Sequence, residues 1–194
     1  MRIAGIDYGS KLAGTTAIAF VENNLACLLQ SERKQDADSF IREWVSAWNP
    51  THLFLDAPLS LPGVYRGLPW CNDFFYREAD RALKAMSPMF LGGLTARAIQ
   101  LKTQLRKEGV EILEVYPSYL ARELGIGRQQ YKKSLSCLPV ATKALSSHLP
   151  FPLKEDKLDS WHQFDALLAL ISGFRYGQGR HLLFGDEAEG AIIV

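Results

Sequence analysis

Three acidic residues stand where short apolar segments of this sequence end: Asp7, Asp56 and Glu114. A carboxylate at the rim of a hydrophobic core is costly when it is unpaired, and it becomes favourable when it binds a divalent cation. Mg²⁺ prefers oxygen ligands, usually one or two carboxylates together with water and substrate phosphate. The pattern therefore predicts a Mg²⁺ or Mn²⁺ site that acts on a phosphate group.

A fourth carboxylate, Asp165, lies in the last predicted helix, beside its apolar face. The same edge of the helix carries a stripe of mostly small residues, which let a helix approach a sheet closely: His162, Ala166, Ala169 and Gly173. We expect this approach to bring Asp165 and His162 to the end of the first strand. The predicted metal ligands and catalytic residues are thus Asp7, Asp56, Glu114 and Asp165.

Three of the predicted site residues have an equally simple structural explanation. Asp56 is typical of a turn after a strand, Glu114 of a carboxylate that binds backbone amides, and His162 of a hydrogen-bonded side chain. Asp7 differs because the run Asp-Tyr-Gly-Ser-Lys joins a carboxylate, a permissive glycine and Lys11 at one strand end. Lys11 is a predicted contact for a flanking phosphate.

A second polar group has the spacing i, i+3, i+4 and i+7: Arg77, Asp80, Arg81 and Lys84. On a helix these side chains share one face, which could clamp phosphate oxygens while Asp80 orients an arginine. A salt-bridged face in solvent explains the same spacing. The predicted substrate-binding residues are Lys11, Arg77, Asp80, Arg81 and His162.

Hydrophobic patterning indicates the strands that must position these residues. Short apolar segments typical of buried strands occur at 3–6, 51–56 and 110–115. A hairpin is predicted from the segments 15–21 and 25–29, with Glu22-Asn23-Asn24 as its turn. A final short strand is predicted at 190–194.

Helical spacing of apolar residues predicts helices at 36–48, 95–108, 117–124 and 160–175, with partial helix at 133–149 interrupted by Pro139. Residues 57–91 are rich in proline, glycine and aromatic residues, and we interpret them as an inserted loop with one helix at 74–86. The order of elements predicts one α/β domain over residues 1–194, with a mixed sheet and helices on both faces.

The bulk composition allows one substantial core and gives no electrostatic signal for the whole molecule. The chain has 194 residues and a formal net charge of +1. Basic residues outnumber acidic ones eight to three in 66–107 and five to one in 122–143. Either stretch fits a phosphate-facing surface or an ordinary solvated helix face.

The sequence also bears on the cellular environment. Cys27, Cys71 and Cys137 show neither CxxC nor Cys/His spacing, so we expect no disulfide framework and no zinc site. We find neither a leader-like start nor an apolar run of about 18 residues. We therefore expect a cytoplasmic protein without a membrane span.

Several short motifs together resemble the ribonuclease-H-like superfamily. The run Gly5-Ile6-Asp7-Tyr8-Gly9-Ser10-Lys11 resembles the first strand of the RuvC and YqgF resolvase group, and the fuller match is to the DUF429 family of predicted nucleases. The motifs that carry this match span nearly the whole chain: Gly5-Ile6-Asp7, Asp56-Ala57-Pro58-Leu59, Arg77 with Asp80-Arg81, Glu114-Val115-Tyr116-Pro117-Ser118, Tyr131-Lys132, Asp165-Ala166-Leu167 and Glu189-Gly190.

The resemblance implies a ribonuclease-H-like fold in which Asp7, Asp56 and Asp165 form a metal site that Glu114 completes. Two Mg²⁺ or Mn²⁺ ions, both bridged by Asp7, would hold the scissile phosphodiester of a nucleic acid. Aromatic residues such as Tyr65 or Trp70 would stack unpaired bases. Resolvases commonly carry glutamate at the position of Asp56 and often a second acid near Asp165, where this chain offers His162. Resolvase relatives often pair, so a homodimer is a further expectation.

Two other functions fit parts of the pattern. A non-catalytic module could keep the fold and use residues 57–91 to bind a partner. An actin-like or sugar-kinase-like ATPase also begins with Asp-x-Gly, but it usually needs two domains and a second Asp-x-Gly, which this sequence lacks. A response of thermal stability to divalent cations distinguishes the nuclease from the binding module.

Overall fold

A five-stranded mixed sheet forms the centre of the computed structural model, which describes residues 1–127, 129–155 and 157–194. Its strands are β1 (Ile3–Asp7), β2 (Ala17–Glu22), β3 (Leu25–Gln30), β4 (His52–Asp56) and β5 (Glu111–Glu114). Their order across the sheet is β3-β2-β1-β4-β5. The strands β1, β4 and β5 are parallel, while β2 is antiparallel to both of its neighbours. The predicted mixed sheet is confirmed.

Seven helices lie within the described ranges: α1 (Ala37–Trp48), α2 (Glu78–Leu83), α3 (Pro88–Leu91), α4 (Gly93–Lys107), α5 (Pro117–Glu123), α6 (Leu138–Ser146) and α7 (Trp161–Gly177). Short 3₁₀ turns occur at Gly63–Arg66 and Leu135–Cys137, and β6 (Leu183–Phe184) pairs with β7 (Ile192–Ile193). Among the described residues, none of the helices combines the length and apolar character needed to cross a membrane.

Local sequence signals explain several of these boundaries. Asn23 and Asn24 both adopt positive φ, at 51° and 61°, and so form the predicted turn between β2 and β3. The Asp36 carboxylate accepts hydrogen bonds from the amides of Asp38 and Ser39, which caps α1. We expected Pro139 to interrupt a helix. Instead, it lies in the first turn of α6, where proline costs no hydrogen bond.

Helices cover both faces of the sheet, as the sequence predicts. On one face, Ile41 of α1 and Leu101 of α4 pack with Leu53 in a buried cluster. On the other face, α7 contributes residues such as Leu167 to a cluster that includes Phe54. Because β1 and β4 are covered on both sides, residues 3–6 and 53–55 are all apolar, and each strand ends in an aspartate.

The helix α7 lies directly against β1 because neither surface carries bulk at the contact. A Cβ atom placed on Gly5 would lie 2.1 Å from the Leu170 amide nitrogen and 2.3 Å from the Ala166 carbonyl oxygen. A Cβ on Gly173 would lie 2.6 Å from the Phe54 ring. The predicted close approach of the helix to the sheet is confirmed, and it holds Asp165 beside the end of β1.

The inserted segment differs from the prediction of one helix at 74–86. The Asp73 carboxylate accepts from the amides of Phe75 and Tyr76, which forms a turn where we expected helix. Arg77 is extended and caps α2, while Lys84 ends it with φ of 55°. The helical face predicted from Arg77 to Lys84 therefore does not exist.

Candidate metal centre

Three carboxylates from distant parts of the chain meet at one edge of the sheet. Asp7 ends β1, Asp56 ends β4, and the two residues are register partners in the parallel pair. Asp165 is the fifth residue of α7. One carboxylate oxygen from each lies within 4.8 Å of the other two. The structure thus brings together three of the four predicted ligands.

The surroundings make three negative charges difficult to maintain. Asp165 is fully buried, Asp7 is 9% exposed, and Asp56 is partly exposed. At a separation of about 5 Å and an effective dielectric of about 20, each pair of charges repels by about 3 kcal/mol. Burial, and then the neighbouring carboxylates, raise the pKa of Asp56 well above its usual range. Burial is also the main cause that raises the pKa of Asp165 to about 6.

Three polar side chains hold these carboxylates in place. His162 Nδ1 donates to Asp7 Oδ2 over 2.7 Å, and this hydrogen bond raises the pKa of His162. The Tyr131 hydroxyl donates to Asp165 Oδ1 over 2.7 Å, while the Lys132 ammonium forms an ion pair with Asp165 Oδ2. Burial opposes the charge on Lys132, but Asp165 outweighs it and raises the pKa of the amine. The cluster still carries more negative than positive charge when all three carboxylates are ionised.

Tyr131 and Lys132 were not among the predicted site residues. They lie in the irregular stretch between α5 and α6, where hydrophobic periodicity assigns no helix or strand. The one sequence signal was the Tyr131-Lys132 pair among the motifs of the resemblance. Arg128, which contributes to the predicted basic stretch at 122–143, lies outside the described residues.

The predicted ligand Glu114 does not join this cluster. Both of its oxygens accept from the Arg77 guanidinium, over 2.6 and 2.7 Å, and Oε2 also accepts from the Leu59 amide over 2.8 Å. Burial raises the pKa of Glu114, although Arg77 opposes this effect. The simpler explanation for Glu114, a carboxylate that binds backbone amides, is therefore closer to the structure than a metal ligand, and the amide that it binds is that of Leu59.

Arg77 and Asp80 are buried, whereas their predicted substrate-binding role requires side chains at the surface. The Arg77 side chain is completely buried and donates to both oxygens of Asp80, at 2.6 and 3.0 Å, and to Ser60 at 2.9 Å. Because every guanidinium nitrogen is occupied, Arg77 has none left for a phosphate. The predicted phosphate contact of Arg77 does not fit this arrangement, while Asp80 does orient an arginine, as expected. Together the two residues help to attach the inserted segment to β5.

A second buried acid fastens the same segment from the other side. Glu189 accepts from the amides of Gly63 and Glu78, both over 2.8 Å. A Cβ atom on Gly190 would lie 1.9 Å from Ser60 Oγ, so glycine is needed at this contact. The Glu189-Gly190 motif therefore supports the insertion.

The remaining predicted contacts lie at the surface or within the cluster. Lys11 is exposed and pairs with Asp36 over 3.2 Å. Arg81 is exposed, pairs with Asp73 and lies 4.8 Å above the Tyr76 ring centroid. His162 is the one predicted substrate contact that touches a carboxylate of the cluster.

No protein-family model matches this chain, and no curated protein matches its sequence. The geometry and charge of the site therefore carry the functional assignment.

Proposed function

We propose that this protein is a nuclease of ribonuclease-H-like fold that hydrolyses phosphodiester bonds with the help of divalent cations. One observation carries the proposal: Asp7, Asp56 and Asp165 come from two adjacent strands and one helix and converge within 4.8 Å. The mixed sheet with α7 packed across β1 is compatible with the fold that the resemblance implies.

The donor set fits a hard cation. Three carboxylates offer oxygen ligands only, which suits Mg²⁺ and Mn²⁺ better than the softer transition metals. Burial, and after it the neighbouring carboxylates, raise the pKa values of Asp56 and Asp165, so a bound cation would offset a cost that the protein alone leaves in place. Asp7, Asp56 and Asp165 would hold the cation, which would supply Lewis-acid activation of water and of the phosphate.

The other residues of the site orient the ligands. His162 fixes one oxygen of Asp7, and Tyr131 fixes one oxygen of Asp165. Burial raises the pKa of the Tyr131 phenol, so it remains a hydrogen-bond donor at neutral pH. The Lys132 side chain is about half exposed and places a positive charge at the rim of the cluster, where a phosphate would approach.

A cleavage assay tests this proposal. Labelled single-stranded and duplex DNA and RNA are incubated with the protein in Mg²⁺, Mn²⁺ or EDTA. We expect cleavage that requires a cation and is lost in Asp7→Asn and Asp56→Asn. Asp159→Asn is a matched control, because it removes the same charge from an exposed residue outside the cluster. Cleavage by Asp7→Asn at the wild-type rate would refute the assignment.

The ion pair between Lys132 and Asp165 favours one alternative, a non-catalytic binding module in which lysine replaces the cation. Lys132→Met separates the two cases. In a cation site, loss of the ammonium leaves the cluster more negative, so Mn²⁺ should raise the melting temperature of the variant more than that of wild type. In a module, the variant should lose stability and gain nothing from Mn²⁺.

A further inference from the structure

A cleft of about 1110 Å³ runs along β5, the edge strand of the sheet. Residues of α4 line one wall, and residues of β6 and β7 line the other. Within the described ranges, β5 pairs with β4 on its inner side and meets β7 through the bridge between Val115 and Ile193. The cleft is therefore an open groove beside the sheet, separate from the carboxylate cluster.

Four basic side chains converge on this cleft: Arg66, Lys102, Arg106 and Lys107. The three on α4 form no ion pair with any described residue. The cations outnumber the free acids by four to two, since Glu111 and Glu187 also line the cleft and Arg77 neutralises a third lining acid, Glu114.

Lys102 is a partly buried cation in this cleft. Burial is the main cause that lowers the pKa of its amine; Glu114 and Glu111 oppose that change, and Arg106 and Arg66 add to it more weakly. A partly buried cation among other cations gains from an anionic ligand. The cleft therefore favours a ligand that carries several negative charges.

Aromatic side chains stand at the mouth of the same cleft. Tyr65 lines it, is half exposed, and packs edge-on against Phe74 with ring centroids 6.0 Å apart. Phe74 is itself 59% exposed. Proteins that bind single-stranded nucleic acid combine two features: cations that follow the phosphate backbone, and exposed aromatic rings on which the bases stack.

One end of the cleft reaches the edge of the sheet where the carboxylates lie. Leu59 and Ser60 line the cleft and follow Asp56 by three and four residues. Glu114, which also lines it, ends β5 beside β4. A strand lying in the cleft would thus extend toward the end of β4, where Asp56 stands.

We propose that this cleft binds the single-stranded part of a polynucleotide, with its phosphates on Lys102, Arg106 and neighbouring cations and its bases on Tyr65 and Phe74. The inference rests on the proposed function, since it names the substrate class of the Asp7 site. An acidic peptide that adds a strand to β5 would also match the charge, but it would leave the exposed aromatic rings at the mouth without a specific role.

Binding is measured without catalysis, by fluorescence anisotropy of labelled dT12 and rU12 and of a 12-base-pair DNA duplex in EDTA. We expect both single strands to bind more tightly than the duplex. Lys102→Gln with Arg106→Gln should weaken binding and reduce the slope of log K against log salt by about 1.4, since each phosphate contact contributes about 0.7. Arg33→Gln with Lys34→Gln, which removes two exposed charges elsewhere, is the matched control.

The aromatic platform has its own variants. Tyr65→Ala should weaken single-strand binding about tenfold, and Tyr65→Trp, which keeps a stacking surface, should restore it. Unchanged melting temperatures show that these variants fold. Equal affinity for duplex and single strand, or stronger competition by a repeating Glu-Val peptide than by unlabelled dT12, would overturn the proposal.

The two proposals fail in different ways. Asp7→Asn should bind dT12 in EDTA like wild type yet not cleave it when Mn²⁺ is added. Binding that depends on the cleft residues, without cleavage in any cation, would refute the nuclease and leave the cleft assignment intact. Cation-dependent cleavage that is unaffected by the cleft variants would refute the cleft assignment and leave the nuclease proposal intact.

Discussion

Replacing Asp7 with asparagine should stabilise the protein in the absence of metal and remove its response to Mg²⁺ and Mn²⁺. The substitution removes one charge that lies within 4.8 Å of two other carboxylates. Asparagine has nearly the same size and can still accept the hydrogen bond from His162 Nδ1, which Asp7 accepts over 2.7 Å. The change therefore tests charge with little disturbance of packing.

Two quantities bound the size of this stabilisation. Unit charges at most 4.8 Å apart repel by at least about 3.5 kcal/mol at an effective dielectric of about 20. The rise in the pKa of Asp165 from 3.8 to about 6 corresponds to roughly 3 kcal/mol. Burial is the largest cause of that rise, so the share due to Asp7 is smaller. We expect Asp7→Asn to raise the free energy of unfolding by about 1–2 kcal/mol above neutral pH.

Thermal unfolding in EDTA and in Mn²⁺ measures both effects. In EDTA the melting temperature of Asp7→Asn should exceed that of wild type by about 2–8 °C. At a Mn²⁺ concentration about 100 times Kd, wild type should gain about 2.7 kcal/mol, or about 5–11 °C, and the variant should gain almost nothing. Asp159→Asn should behave like wild type in both conditions. A destabilised Asp7→Asn in EDTA, or a variant with the full Mn²⁺ response, would refute the electrostatic reasoning.

Three further outcomes follow from the same structure. In EDTA, the stability of the protein should fall as pH rises from about 4 through about 6. The pKa of Asp165 is raised above its ordinary 3.8, so its protonated carboxyl stabilises the fold, and this effect is lost above the folded pKa of about 6. Asp165→Asn should flatten that part of a plot of melting temperature against pH. Arg77→Leu should destabilise the protein by about 3–5 kcal/mol in urea unfolding, since it leaves buried carboxylates unpaired. Adding Glu114→Leu should recover part of this loss. Strictly additive losses from the two substitutions would argue against the buried network. Gly5→Ala should push α7 away from β1 and so lower both the melting temperature and the increase in melting temperature that Mn²⁺ causes. A variant with wild-type values of both would show that the close contact does not position Asp165.

Most secondary structure was predictable because it depends on local patterns. The strands β1 and β4 contain the apolar runs 3–6 and 53–55, each followed by an aspartate, and both strands are found where expected. The helix α7 begins at its predicted cap, where the Gln163 amide donates to Ser160 Oγ. Such signals act between residues that are near one another in the chain, so periodicity and capping are sufficient to detect them.

The inserted segment was predicted less well because its conformation depends on distant partners. Arg77 has helical spacing to Asp80, but in the structure it serves as a buried counter-ion for Glu114, which is 37 residues away. The amides of Gly63 and Glu78 are held by Glu189, more than 110 residues further along. No local pattern reports such pairings, so helical spacing alone led to a surface assignment that the buried network contradicts.

The sequence by itself determined most of the strands and helices and placed Asp7 and Asp56 each at a strand end, since each of these strands is defined by its own apolar run. Only the tertiary structure decided which acids share a site. Contact between Gly5 and the backbone of α7 brings Asp165 to the cluster, and an irregular segment adds Lys132 to it. Glu114 stands at an equivalent strand end but pairs with Arg77 instead, because a buried carboxylate takes whichever partner packing brings within reach.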